Sequence, residues 1–292
     1  MNSLISRILR DFRNLKRDRY SYEKQLANQF EIGFQNLTLG ANKLIAPKFS
    51  GFAQGEEDFF LYAISRILNL TNFLEFGVED WRESNTRILS FLLNGNFTLW
   101  DGSERNIAAI KQSREYFLSQ VYPSCHCITQ ENIQSLITET VQHLGRPFDV
   151  ISIDIDGNDY WICKAIQERP SVFVVEYNSL FGADLSVSTP YKESFNRRDH
   201  HSSGCVYGAS HSAFVELFQG RGYELFHTTE KGNNMFFLRS DVFSKVKAVF
   251  AGSSEYKNIA FREYFVDGNK TAMNFSASSK NVLEQRDLYI DV

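Results

Sequence analysis

FDVISIDIDGNDYW, residues 148–161, decides the fold by its place in the chain. Val150, Ile151, Ile153 and Ile155 build an apolar strand around Asp154, and Asp156, Gly157 and Asp159 follow at once. A strand that ends in clustered carboxylates beside a glycine is suited to a metal ion, a phosphate or a cationic cofactor. What the segment does depends on how many strand and helix units come before it.

Three complete units do. EEDFFLYAISRILNL has helical spacing at Phe60, Ala63, Ile64, Ile67 and Leu68. NFLEFGVED then reads as a first strand ending at Glu75 and Gly77, followed by a helix in SNTRILSFLLNG. NFTLWDGS is a second strand ending at Asp101, RNIAAIKQSREYFLSQ a helix, SCHCITQEN a third strand and IQSLITETVQHLG a helix. FDVISIDID is therefore the fourth strand, with YWICKAIQE a helix and SVFVVEYN the fifth strand. This alternation predicts an α/β fold with a doubly wound, mostly parallel, Rossmann-like sheet. Downstream, SAFVELFQGRG is a helix, and YELFHTT and NMFFLRSD flank EKGNN as a closing antiparallel hairpin.

The predicted organisation is an N-terminal helical extension over 1–50, a catalytic-type domain over 51–243 and a C-terminal elaboration over 244–292. Within the domain, residues 180–206 have no strong periodicity, as expected of a lid or binding loop. In the first twenty residues Leu4, Ile5, Ile8, Leu9, Phe12 and Leu15 share one helical face, with Arg7, Arg10, Arg13, Lys16 and Arg17 over much of the rest. Such a helix suits peripheral contact with an anionic membrane, packing on its own domain, or a homo-oligomer interface.

The chain has 43% hydrophobic and 23% charged residues, a net charge of −4, and 26 Phe with 13 Tyr. There is no basic excess to neutralise phosphates, which argues against nucleic acid as a partner. No apolar run approaches the roughly 20 residues of a membrane span, and no signal-peptide core opens the chain. A soluble, cytoplasmic protein is expected. Cys125 and Cys127 read as buried thiols on one face of the third strand, too isolated for a metal site.

In open α/β sheets ligands bind beyond the carboxyl ends of the strands. Those ends carry Glu75 and Gly77, Asp101, Glu131 and Asn132, Asp154 and Asp156, then Glu176 and Asn178. Each acid alone reads as a helix cap or turn residue. Five polar strand ends in succession read as a site.

At these residues the sequence resembles the class I S-adenosylmethionine-dependent methyltransferases. FLEFGVEDWRESNT, residues 73–86, looks like their first motif, and LWDGS, residues 99–103, like their second. The resemblance spans roughly 50–240 and is nearest to the FkbM-like group of bacterial surface-polysaccharide clusters, through AQGEED (53–58), DGSERNI (101–107), YGAS (207–210) and GNNMFFLRSD (232–241). It departs at the first motif, where Glu75-Phe-Gly77-Val-Glu79-Asp80-Trp81 keeps one glycine of the usual three. The resemblance implies S-adenosylmethionine as cofactor, held by Glu75, Gly77, Asp101 on the ribose, Glu131 or Asn132 on the adenine, and Asp154. It also implies methyl transfer to a hydroxyl, with a small-molecule or glycan acceptor from surface-polysaccharide biosynthesis.

A second resemblance, to metal-dependent O-methyltransferases, implies Mg or Mn held by Asp154, Glu176 and Asn178, all oxygen donors suited to a hard ion. Without a metal, Asp154 and Asp156 would cap the next helix, and Asp156 is expected to point away from the strand end. His200 and His201, with His211 nearby, are candidates for the base, beside Asp154 itself. Two alternatives stay open: a non-catalytic binding domain of this fold, and an Asp-x-Asp-Gly phosphatase with Asp154 as nucleophile. Against the phosphatase, that motif normally sits on the first strand.

Overall fold

The computed structural model describes residues 19–36, 43–44, 50–251, 256–257, 261–266 and 269–292. Seven strands form one sheet in the order β3-β2-β1-β4-β5-β8-β7. They are β1 Asn72–Phe76, β2 Asn96–Asp101, β3 Gln120–Cys125, β4 Val150–Ile153, β5 Val172–Glu176, β7 Tyr223–Thr228 and β8 Asn234–Arg239, with a two-residue β6 at Val187–Ser188 outside the sheet. The first five run parallel, and β8 returns antiparallel between β5 and β7. The predicted doubly wound sheet and closing hairpin are both present.

The central strands are apolar on both sides because helices cover both faces. Phe73, Phe97, Val150 and Val174 belong to one core, packed with Phe59 and Leu61 of α2 (Glu57–Leu68). Leu74, Ile151, Phe173 and Phe237 belong to the other, with Ile133 and Ile137 of α6 (Ile133–Leu144) and Phe214 of α9 (His211–Gln219). Strand order reverses between β1 and β4, so the crevice of this fold opens at their carboxyl ends.

The expected third strand is displaced. The helix predicted through residue 120 breaks at Gln112, giving α4 (Glu104–Lys111) and α5 (Arg114–Leu118), because Ser113 caps a new helix by accepting from the Tyr116 N–H. The strand then starts at Gln120, and Pro123 is tolerated because β3 is the sheet edge. Cys125 and Cys127 are consequently free and exposed rather than buried.

The N-terminal segment is described from residue 19, as helix α1 over 19–36; the face from Leu4 to Leu15 lies outside the described residues. Phe30 and Phe34 of α1 are buried, with their rings against Tyr62. The 180–206 segment holds a 3₁₀ turn at Ser179–Phe181, β6, and the short α8 (Arg197–His200). Its feet are tied down by the C-terminal region, which the sequence left unassigned. There α10 (Ser240–Lys247), a hairpin of β9 (Phe261–Val266) and β10 (Asn269–Asn274), and α11 (Phe275–Leu283) precede β11 (Ile290–Asp291), which pairs with β6. Leu180, Phe181, Val187, Cys205 and Val206 share a core with Val282 and Tyr289. Among the described residues no helix is long and apolar enough to cross a membrane.

Candidate functional site

Glu75 leaves β1 toward its own helix rather than the crevice. Its carboxylate is buried and accepts from Ser84 Oγ at 2.6 Å, the Asn85 N–H at 2.9 Å, and Thr86 through both N–H and Oγ1. Four donors saturate it. It holds residues 84–86 at the start of α3 (Arg87–Leu92), and the expected cofactor contact is replaced by this internal clamp. Burial raises its pKa against the pull of these donors.

Gly77 has φ +76°, and a Cβ there would sit 1.5 Å from the carbonyl oxygen of Asp154. The missing side chain makes room for β4, where the sequence reading had placed ligand. The loop beyond keeps a left-handed backbone at the other two positions of the glycine motif, Glu79 (φ 47°) and Trp81 (φ 61°). A bulky residue with positive φ is a strained outlier that surrounding structure must enforce. Trp81 is fixed by burial in the core, and the Glu79 N–H by Asp101 Oδ2, 2.9 Å away.

Asp101 lies at the end of β2, as expected. Its Oδ1 accepts from the Ser103 N–H at 2.8 Å and from Asn106 Nδ2 at 3.0 Å. With Glu79 this fills three of about four acceptor positions on the carboxylate, leaving one for a ribose hydroxyl instead of two. After β3, Asn132 shapes its own turn, accepting from the Thr129 N–H and donating to Cys127 O. Glu131 is fully exposed and accepts from Tyr191 Oη at 2.8 Å, which keeps its pKa low.

The ends of β4 and β5 bring Asp154, Asp156 and Glu176 together, each offering a carboxylate oxygen within 4.8 Å of the others. Asp156 was expected to point away. A left-handed turn at Asp156 (φ 58°), just before Gly157, swings it back, and the Asp-Gly pair was the sequence signal for such a turn. Asn178 does the reverse. Its amide donates to Cys205 O and Tyr207 O and its oxygen accepts from the Leu180 N–H, so it anchors the loop and is turned away from the acids. Burial, then the neighbouring Glu176, Asp159, Asp156 and Glu75, raises the Asp154 carboxyl well above the ordinary range. Asp159 caps its own turn by accepting from the Ile155 and Gly157 N–H groups.

Two residues between β5 and α9 reach the cluster. Tyr207 Oη donates to Glu176 Oε1 at 2.9 Å, and Arg197 Nη1 donates to Asp156 Oδ1 at 2.9 Å, its guanidinium lying over the Tyr207 ring. Nothing in the local sequence signalled either contact, since both cross the sheet end from residues 31 and 41 positions away. His200 and His201 are used elsewhere: His200 Nε2 pairs with Leu288 O at 2.9 Å and His201 Nδ1 with Ser203 Oγ at 2.7 Å. His211 packs edge-on between Tyr177 and Tyr256, and burial lowers its pKa to about 4.

The stretches 53–58 and 230–234 meet in space. Asn234 Nδ2 donates to Glu57 Oε1 at 2.9 Å, and Glu56 Oε1 accepts from the Glu230 N–H at 2.7 Å and pairs with His227. Asn234 stands opposite Glu176 in the β5–β8 ladder.

Compared with known protein families and with curated protein sequences, the chain matches none. Among solved structures it is similar to the N-terminal domain of EvdMO1 with SAH bound, at 15% identity over 72% of this chain and 94% of that one, TM-score 0.42. It is also similar to the O-methyltransferase from Bacillus cereus in complex with SAH (16% identity, 73% and 90% covered, TM-score 0.38). A third is an S-adenosylmethionine-dependent methyltransferase from Clostridium acetobutylicum (12% identity, 72% and 98% covered, TM-score 0.40). Likeness at this level carries no argument about activity, which has to come from the residues.

Proposed function

We propose that the chain is an S-adenosylmethionine-dependent O-methyltransferase acting on a hydroxyl. The observation that carries the reading is the loop after β1. It keeps left-handed turns at residues 77, 79 and 81, and its middle turn rests on the acid that ends β2. A strained loop held in that shape without its glycines points to function. The residues fit the cofactor at two places: the remaining acceptor position on Asp101 suits a ribose hydroxyl, and the Asp154 cluster favours positive charge.

When bound, the cofactor supplies an electrophilic methyl group on a positively charged sulfur. In this reading Asp154, at the end of β4 beside Glu176, is the base that takes the proton of the acceptor hydroxyl as the oxygen gains the methyl group. Asp154, Asp156 and Glu176 form an oxygen donor set for Mg or Mn, which would lower the hydroxyl pKa there. Residues 190–200 lie across the β4 end through Asn158 to Lys192 O and Arg197 to Asp156, so the acceptor enters beneath them. A glycan acceptor rests on the FkbM-like resemblance, and membrane or subunit contact on the amphipathic pattern of residues 1–20.

The saturated Glu75 favours one second reading, a binding domain of this fold without catalysis. Calorimetry with S-adenosylhomocysteine, with and without Mg²⁺, tests the cofactor, and methyl transfer after EDTA treatment and metal add-back tests the ion. Asp154→Asn should abolish transfer and leave the fold intact. Absence of S-adenosylhomocysteine binding would overturn the proposal, and phosphate release lost in Asp154→Asn would favour a phosphatase.

A further inference from the structure

A cleft of about 410 Å³ opens at the edge of the sheet, between β3 and α6, in a place no strand-end residue reaches. Its volume lies within the roughly 300–1,000 Å³ of ligand pockets. The β3 edge is three strands from β4, about 14 Å at about 4.8 Å per strand. Side chains alternate along β2, so Thr98 and Trp100 look into the cleft from the face opposite Asp101.

We infer that this cleft binds a neutral sugar ring. Trp100 forms a buried floor, while Tyr116 and Tyr122 offer their rings as walls. Tyr122 is 41% exposed, and Phe117, 72% exposed, packs edge-on against Tyr116 with ring centroids 5.2 Å apart. Trp100 also stacks on Phe76 and Tyr116 also packs against the core on the other face of the sheet, which leaves Tyr122 as the exposed ring of the three. Thr98 is the second observation: it lines the cleft, is 2% exposed, and its hydroxyl has no hydrogen-bond partner among the described residues. A buried hydroxyl without a partner is unusual in a folded chain and marks a position where a ligand or water completes the bond.

The chemistry of the rim selects among ligands. Lys111 and Glu139 both line the cleft, so it has no dominant sign and does not suit a phosphate or a dense polyanion. Ser124 Oγ pairs with His126 Nε2, and Thr140 Oγ1 donates to Leu136 O, and both oxygens keep acceptor capacity. Rotatable hydroxyls that donate or accept match the mixed donors and acceptors around a pyranose, whose C–H face packs on tyrosine rings. A nucleobase would need donors fixed along one edge. This site goes beyond the proposed methyl transfer and does not depend on it.

The test is saturation-transfer NMR on the full chain with a panel of neutral trisaccharides: maltotriose, cellotriose and chitotriose, with adenosine as the planar competitor. At least one trisaccharide should bind saturably. Tyr122→Ala should weaken it at least about tenfold, the loss expected when a stacking ring is removed, and Thr98→Val should weaken it several-fold. Affinity for S-adenosylhomocysteine should be unchanged in both variants. Tyr122 is exposed enough that its replacement leaves the fold intact, as a melting curve would verify. The inference is overturned if no trisaccharide binds, if binding survives Tyr122→Ala, or if adenosine displaces the sugar. Loss of S-adenosylhomocysteine binding in the unmodified protein would count against the methyltransferase reading alone.

Discussion

The backbone N–H of Glu79 donates to Asp101 Oδ2 at 2.9 Å, so the loop after the first strand closes on the acid that ends the second. The loop therefore reaches that acid before any ligand. A hydroxyl arriving at Asp101 shares it with three protein donors, and Glu79 has to give way before two hydroxyls can be held.

Glu79 holds a left-handed conformation with an exposed side chain, so its strain is compensated by backbone bonding alone. Glu79→Gly should stabilise the chain by about 1 kcal/mol, the cost of a left-handed non-glycine residue. Trp81→Gly relieves similar strain but removes a ring that is 2% exposed, and should cost about 3–5 kcal/mol. Urea denaturation measures both, and a destabilised Glu79→Gly would contradict the strain argument.

Gly77→Ala should unfold the domain or cost it several kcal/mol, on the order of the largest single-residue effects. The new Cβ would meet the Asp154 carbonyl at 1.5 Å, with φ at +76°. Backbone on both sides leaves no flexible atom to yield. Wild-type thermal stability in this variant would show that β1 and β4 are not packed as described.

Asp58 predicts a pH dependence. Burial raises its carboxyl to about 6, partly offset by the Phe52, Ala53 and Gly51 N–H groups it accepts from. An acid with a raised folded pKa contributes stability that is present below its unfolded value and lost as pH rises. The loss should fall between about pH 4 and about pH 6 and total at most about 3 kcal/mol. Asp58→Asn removes the titration, so its stability curve over that window should be flatter than that of the unmodified chain. Parallel curves would contradict this assignment.

Arg197→Gln should loosen residues 190–200 without freeing them. The Arg197–Asp156 pair is partly exposed and contributes no more than about 1 kcal/mol. Tyr191, bonded to Glu131 and to the Gln130 N–H, and Trp161, bonded to Thr189 O, still hold the segment. Chymotryptic cleavage near Tyr191 or Phe195 should rise a few-fold, by about fivefold at most for that energy, and further when Tyr191→Phe is added. Unchanged cleavage in the double variant would show that these contacts do not secure the segment.

Periodicity alone determined the α/β alternation, the parallel centre and the closing hairpin, because apolar spacing follows from burial on one or both faces. It also determined that polar residues lie at or just beyond the ends of β1, β2, β4 and β5, since side chains there leave the core whichever way the chain turns next, whereas the third strand ends at Cys125, ahead of the expected Glu131 and Asn132. Tertiary structure alone decided where those polar groups point. Glu75 was drawn into the start of α3 by four nearby donors, Asn178 was taken by the carbonyls of Cys205 and Tyr207, and Asp156 was met by Arg197 from the far side of the sheet end. The partners of these groups lie up to 41 residues away, as with Arg197 on Asp156. Local pattern carries no information about such contacts, because loop closure costs little with chain length and packing of the whole molecule selects among them.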